Sequence, residues 1–320
     1  SAATLNIDAS LDIQTDDDIY HYSGTLSTLN NNSTITKSAG SDITRLEGHF
    51  NNNGTITVSS GEIWLGHGNG VGTSTGAFEV ATGTILGISG NNTMTGASSF
   101  TGEGGFMFHG GGTTVIQGTY GLQGTLGVAT GTLSFANSVT IEDDVTLSNG
   151  TLEYTKASTI NADVFLNNGT LTAAASLPIA GSLQHSNGTL KGVGTVTVAG
   201  LFTWTGGTQS EGGVTVANGG MQLSGGIHFL NARTLTLNVA STYSGGMLRL
   251  QSAATINNNS PFNIQTDDDI YHYSGTVSTL NNNSTITKSA GTGETVIGAD
   301  IYNSGSIAVT SGSLSFGKTF

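Results

Sequence analysis

Three adjacent carboxylates, Asp16, Asp17 and Asp18, run directly into Ile19-Tyr20-His21-Tyr22 and form the densest group of chemically capable side chains in the chain. The same run returns as Asp267, Asp268 and Asp269 followed by Ile270, Tyr271, His272 and Tyr273. Clustered carboxylates offer the oxygen ligands that a hard cation such as calcium prefers. The glycine and acid spacing of an EF-hand loop or a calcium-binding nonapeptide roll is absent, so the competing expectation is a solvated acidic turn. Tyr20 and Tyr22, like Tyr271 and Tyr273, stand two apart. Either each pair presents a flat aromatic platform for sugar stacking, or one strand face buries both rings and turns the histidine outward.

Other chemistry is thinner. Thr34-Ile35-Thr36, Thr55-Ile56-Thr57, Thr93-Met94-Thr95 and Thr195-Val196-Thr197 resemble the Thr-x-Thr units of ice-binding solenoids, which require a flat two-rank threonine array. Asp143 and Asp144 are neighbours, and Glu153, Asp163, Glu211 and the scattered His49, His67, His109, His185 and His228 form no motif or acid pair. Glycoside hydrolysis needs two carboxyl groups flanking the scissile bond, so the chain reads as a non-enzyme. Asn-x-Ser/Thr sequons at Asn53, Asn149, Asn168 and Asn187 arise automatically from Asn-Gly-Thr corners.

The elements that must position these groups follow from a repeat. Gly112, Gly131, Gly150, Gly169, Gly188, Gly207 and Gly226 are spaced nineteen apart, and the first six precede threonine. A period this short is one turn of a stacked coil, since no domain is that small. Apolar residues recur at fixed offsets: Leu133, Leu152, Leu171 and Leu190; Leu122, Ile141, Ile160, Ile179 and Val198; Leu126, Val145, Val164, Leu183, Phe202 and Met221. Pairs two apart, such as Val145 and Leu147, mark one face of a strand. The columns predict an all-β parallel β-helix, or β-solenoid, of about nineteen residues per turn with three short parallel sheets around one interior. Asn149, Asn168 and Asn187 before glycine mark tight corners where positive φ is tolerated and amides can bond along the axis.

Outside residues 112–226 the coil is less regular. Residues 66–76, GHGNGVGTSTG, read as a wide loop or bulged turn, and 12–24 and 263–275 resist assignment to strands. A longer repeat overlies the short one. Residues 1–69 align with 252–320 at an offset of 251, and 264–291 repeat 13–40 with one change, Leu26 against Val277. One continuous solenoid over 1–320 is expected, on the order of 80 Å long, with 1–251 as one super-repeat, 252–320 as the start of the next, and a longer parent protein.

Composition narrows the partners. Only 9% of residues are charged, the net charge is −13, and eight Lys plus Arg are spread thinly, which disfavours nucleic acid and anionic membranes. Cysteine is absent, which excludes disulfides and thiolate metal sites. No apolar run approaches a membrane span.

The six Gly-Thr corners from Gly112-Thr113 to Gly207-Thr208, with Asn-Gly-Thr-Leu runs at 149, 168 and 187, resemble the filamentous haemagglutinin-like adhesins of bacteria. The resemblance covers residues 112–245 best. It implies a right-handed parallel β-helix acting as an extracellular, cell-surface shaft, a structural or adhesive fibre segment without a resident cofactor. Because a solenoid fragment exposes unpaired strand edges, axial self-association is expected, with the longer parent chain and surface glycans as further partners. A carbohydrate-binding or carbohydrate-active β-helix is the alternative, and an ice-binding solenoid the third reading.

Overall fold

The computed structural model describes residues 2–317 and divides into two compact units, Ser1–Asn161 and Ala162–Phe320. Both are all-β, built from parallel strands of two to five residues wound as a β-solenoid, about 16 turns in all, with no helix among the described residues. No helix is therefore long and apolar enough to cross a membrane.

In the second unit one turn consists of Val164–Leu166, Thr170–Ala173 and Leu177–Ile179. The next consists of Leu183–His185, Thr189–Lys191 and Thr195–Val198. They pair in register as Val164 with Leu183, Thr170 with Thr189 and Leu177 with Val196. Three faces per turn thus enclose the interior, as the columns require. Alternation sets which side chains enter it: in Thr170–Ala173, Leu171 and Ala173 are buried while Thr170 and Thr172 face outward. Like residues stack on like, Leu133 on Leu152 in the first unit and Leu171 on Leu190 in the second. Each fully buried leucine contributes roughly 1.5–3 kcal/mol of transfer free energy.

The Asn-Gly corners behave as expected at Gly188, whose φ is 77°. A Cβ there would lie 2.2 Å from the Gly169 carbonyl oxygen, so the close stacking of corners also demands glycine. Beside it the Asn187 side-chain amide donates to Asn168 Oδ1 at 3.0 Å.

The nineteen-residue turn is local. It holds from Thr113 through Thr132 to Thr151, and again from Thr170 through Thr189 to Thr208. Elsewhere the register steps lengthen: Thr34 to Thr55, Thr55 to Ala77, Thr4 to Thr28 and Ile270 to Ile297. These are steps of 21, 22, 24 and 27 residues. Strand pairing fixes only the faces, so corners absorb the extra chain.

Two loop expectations are corrected. Val71–Ser74 is a strand, with Gly72 and Ser74 on its inward side. A Cβ on Gly72 would meet the Phe50 carbonyl oxygen at 2.1 Å, so the position admits only glycine, and the apolar alternation that reveals a strand is lost there. Within 12–24 and 263–275, Leu11–Ile13, Phe262–Ile264 and Ile270–Ser274 are strands, and Ile19 forms an isolated bridge with Leu46.

The interior is not wholly apolar. Asn31 and Asn52 are fully buried, and Asn31 Nδ2 donates to Asn52 Oδ1 at 2.7 Å and to the Thr55 carbonyl at 3.1 Å. Asn282 and Asn303 repeat this pair at 2.7 Å, and buried Asn258 donates to Asn282 at 2.7 Å. Buried Arg233 donates to the carbonyls of Gly192, Ser210 and Val214 and to Thr215 Oγ1; burial lowers its pKa to about 10.

Candidate functional site

The acidic triplet lies in the corner insert that makes its turn long. Thr34–Lys37 alternates outward and inward, which sends Lys37 into the core behind Ile35, and its ammonium must find partners there. Lys37 Nζ donates to Asp16 Oδ1 at 2.7 Å, to the Thr15 carbonyl at 3.0 Å and to Thr44 Oγ1 at 2.8 Å. Asp16 also accepts from the Asp42 backbone N–H at 3.1 Å. The hydrogen bond from Lys37 is the main reason its carboxyl pKa is lowered. Asp17 accepts from Thr15 Oγ1 at 2.7 Å, and Asp18 accepts from the Arg45 backbone N–H at 2.7 Å and pairs with its guanidinium at 3.3 Å.

The second copy uses the same chemistry. Lys288 Nζ reaches Asp267 Oδ1 at 2.8 Å and the Thr266 carbonyl at 2.9 Å. Asp268 accepts from Thr266 Oγ1 and Asp269 from the Val296 N–H at 2.7 Å. In each copy the three carboxylates diverge to three protein donors. Among the described residues no group of three or more His, Cys, Asp or Glu side chains is placed to hold a metal ion. The triplet's geometry is that of a clasp fastening an insert to a buried lysine.

The buried-tyrosine expectation is overturned. Tyr20 and Tyr22 are 61% and 87% exposed, with ring centroids 6.5 Å apart at 64°. His21 is the half-buried member, its backbone N–H donating to Glu47 Oε2 at 3.0 Å and its ring 5.9 Å from that of His67. In the second copy Tyr273 is exposed and Tyr271 and His272 are half-buried. Here strand pairing sets Arg249 between Phe229 and Tyr271. The guanidinium lies 5.3 Å from the Phe229 ring, 5.9 Å from Tyr271 and 4.9 Å from Tyr273. The result is an outward aromatic row around a cation, an arrangement that favours polar ligands with an apolar face.

A related group lies on the first unit. Arg45 stands 5.3 Å over the Trp64 ring, His109 packs on that ring at 3.9 Å, and the indole N–H donates to Glu62 Oε2 at 2.7 Å. Arg45, Trp64 and His109 line, with Glu47 and His67, a small cleft of about 180 Å³. Burial lowers the His109 pKa to about 4, so its imidazole is neutral at pH 7.

His185 and His228 flank buried Trp204 at 5.7 and 5.1 Å. Thr34 and Thr36 pair with Thr55 and Thr57, but the next turn places Ala77 and Glu79 in those positions, so the threonine array ends after two ranks.

Sequence reading missed Arg45, Trp64, Phe229, Arg249 and the two core lysines. The available signal was an outward residue between buried aliphatics, as in Ile63-Trp64-Leu65 and Leu248-Arg249-Leu250. Comparison with protein-family models, curated proteins and solved structures yields no match.

Proposed function

We propose that this chain is a non-catalytic shaft segment of an extracellular, cell-surface structural or adhesive protein, whose turns add axially to further turns of the same kind. The observation that carries this reading is the in-register stacking of like residues one turn apart, Leu133 with Leu152 in the first unit and Leu171 with Leu190 in the second, a mode of growth in which each turn contacts only its neighbours and offers its strand edges to the next. The outward Arg249 row and the Trp64 cleft support lateral adhesion. Negative-stain electron microscopy at rising concentration tests the reading: stacks of uniform width and growing length are expected, and isolated particles at every concentration would refute it.

A further inference from the structure

In the first unit a six-stranded sheet ends at Thr119–Leu122, and Thr140–Ile141 begins a separate sheet by pairing with Thr159–Ile160. The interruption falls where the turn shortens, from the 20-residue step between Phe106 and Leu126 to the 19-residue step between Leu126 and Val145. The Thr119 N–H donates to Ser98 O at 3.0 Å and the Gln123 N–H to Gly102 O at 2.9 Å. Successive strand residues turn their peptide groups to opposite edges, so Tyr120 and Leu122 direct theirs to the other side. From across the gap, Val139 and Ile141 accept from Thr159 and Asn161 at 2.9 and 2.8 Å, which turns the peptide groups of Ser138, Thr140 and Glu142 back toward it. No ladder joins the two strands, and a groove of about 540 Å³ lies between them.

The lining has a consistent chemistry. Tyr120 is half-buried, its hydroxyl enclosed and its ring packed at 5.1 Å on Phe135, 5.8 Å on Phe100 and 6.0 Å on Phe106, and the part of the ring facing the gap forms an aromatic floor. Gln117, Gln123, Asn137, Thr140 and Glu142 are exposed around it. Asn137 Nδ2 is anchored on the Gln117 carbonyl at 2.6 Å, and Glu142 Oε2 accepts from Asn161 at 2.7 Å. Side-chain amides, a carboxylate and unpaired peptide groups match the mixed donors and acceptors of hydroxyls, while a ring face matches the C–H face of a pyranose. The groove is lined by no lysine, arginine or histidine, so an anionic sugar would lack a counter-charge. A peptide added as a strand would require apolar pockets for alternate side chains, where the rim offers amides.

We propose that this groove binds a neutral oligosaccharide, held by the unpaired peptide groups of Tyr120 and Thr140 and by Gln117, Asn137 and Glu142, with one sugar ring over Tyr120. The volume suits about two to three sugar units. This goes beyond the shaft reading and does not depend on axial stacking.

The test is saturation-transfer NMR on the 320-residue chain with cellotriose, maltotriose, mannotriose and chitotriose, and with trigalacturonate and a Thr-Val hexapeptide as competing classes. Gly121→Tyr fills the groove; a Cβ there meets nothing closer than the Phe100 carbonyl oxygen at 3.5 Å, so the fold tolerates it. Asn137→Ala removes an exposed recognition group. At least one neutral trisaccharide is expected to bind with a Kd of about 1 mM or tighter and to weaken at least about tenfold in both variants. Binding of none of the four neutral probes, binding unchanged in Gly121→Tyr, or preferential binding of the uronate or the peptide would overturn the proposal.

Discussion

Lys37 Nζ lies 2.7 Å from Asp16 Oδ1, with the lysine side chain wholly buried and the aspartate at the surface. The same atoms of Lys288 and Asp267 are 2.8 Å apart. Removing the carboxylate strands a buried ammonium, whereas removing the amine leaves an aspartate that water can solvate. Asp16→Asn is therefore expected to lower Tm by about 5 °C or more and Lys37→Met by less. The double variant should resemble Lys37→Met alone. Thermal melts of the three variants check the order, and equal losses would show that the pair is not coupled.

The carboxylates of each triplet turn to separate protein donors, and among the described residues no three acidic or histidine side chains converge, so calcium is expected to leave the fold unchanged. Millimolar calcium, or its removal by chelation, should move Tm by less than about 1 °C. A calcium-dependent rise of several degrees that vanishes in Asp17→Asn would show instead that the clasp rearranges to bind the ion.

The two Asn-Asn ladders differ in burial, and stability should follow that difference. Asn52 is fully buried, accepting from Asn31 and donating to the Ala77 carbonyl at 3.0 Å, whereas Asn53 bonds Asn32 at the surface. Asn52→Ala leaves buried polar groups unmet and should cost about 2–3 kcal/mol, against less than about 0.5 kcal/mol for Asn53→Ala. Urea titration of both variants gives the comparison.

His185 stacks between Leu166 and Trp204 in the core ladder, and burial lowers its pKa from 6.5 to about 4. The unfolded chain thus takes up this proton near pH 6.5 and the folded chain only near pH 4. The associated stability is intact above pH 6.5, falls as pH drops through that window, and is lost by pH 4, about 3 kcal/mol in full. His228 is shifted in the same direction, chiefly by burial. His185→Leu, a residue already present in that column, should remove its share of the slope, with His109 and His228 keeping theirs, in urea melts between pH 7 and pH 4.5 followed by tryptophan fluorescence. An unchanged slope would mean that His185 is not the titrating group.

What the sequence disclosed, and what it hid, follows from alternation. Leu152, Leu171 and Leu190 could be read because inward columns repeat one residue type at one spacing. The three-faced coil followed from them, while of the Asn-Gly corners Gly188 takes a positive φ and Gly150 does not. Val71–Ser74 escaped because crowding replaces its inward side chains with glycine and serine. The places of Asp16 and His21 escaped for another reason: both lie in a long corner, where position is set by what lies one turn away, Lys37 and Glu47, and not by the local pattern. Arg249 and Tyr273 meet only because strands 22 residues apart stack, with a register shift at Leu250 and Gln251.

Axial addition of turns is the central claim, and sedimentation velocity on the 320-residue chain tests it most directly. Over about a hundredfold concentration range, mass action predicts a rising weight-average mass. A variant carrying Val309→Lys and Phe316→Lys, which places charge at two exposed apolar side chains, should remain monomeric with an unchanged circular dichroism spectrum. A single monomeric boundary at every concentration, or equal association by the charged variant, would contradict the account.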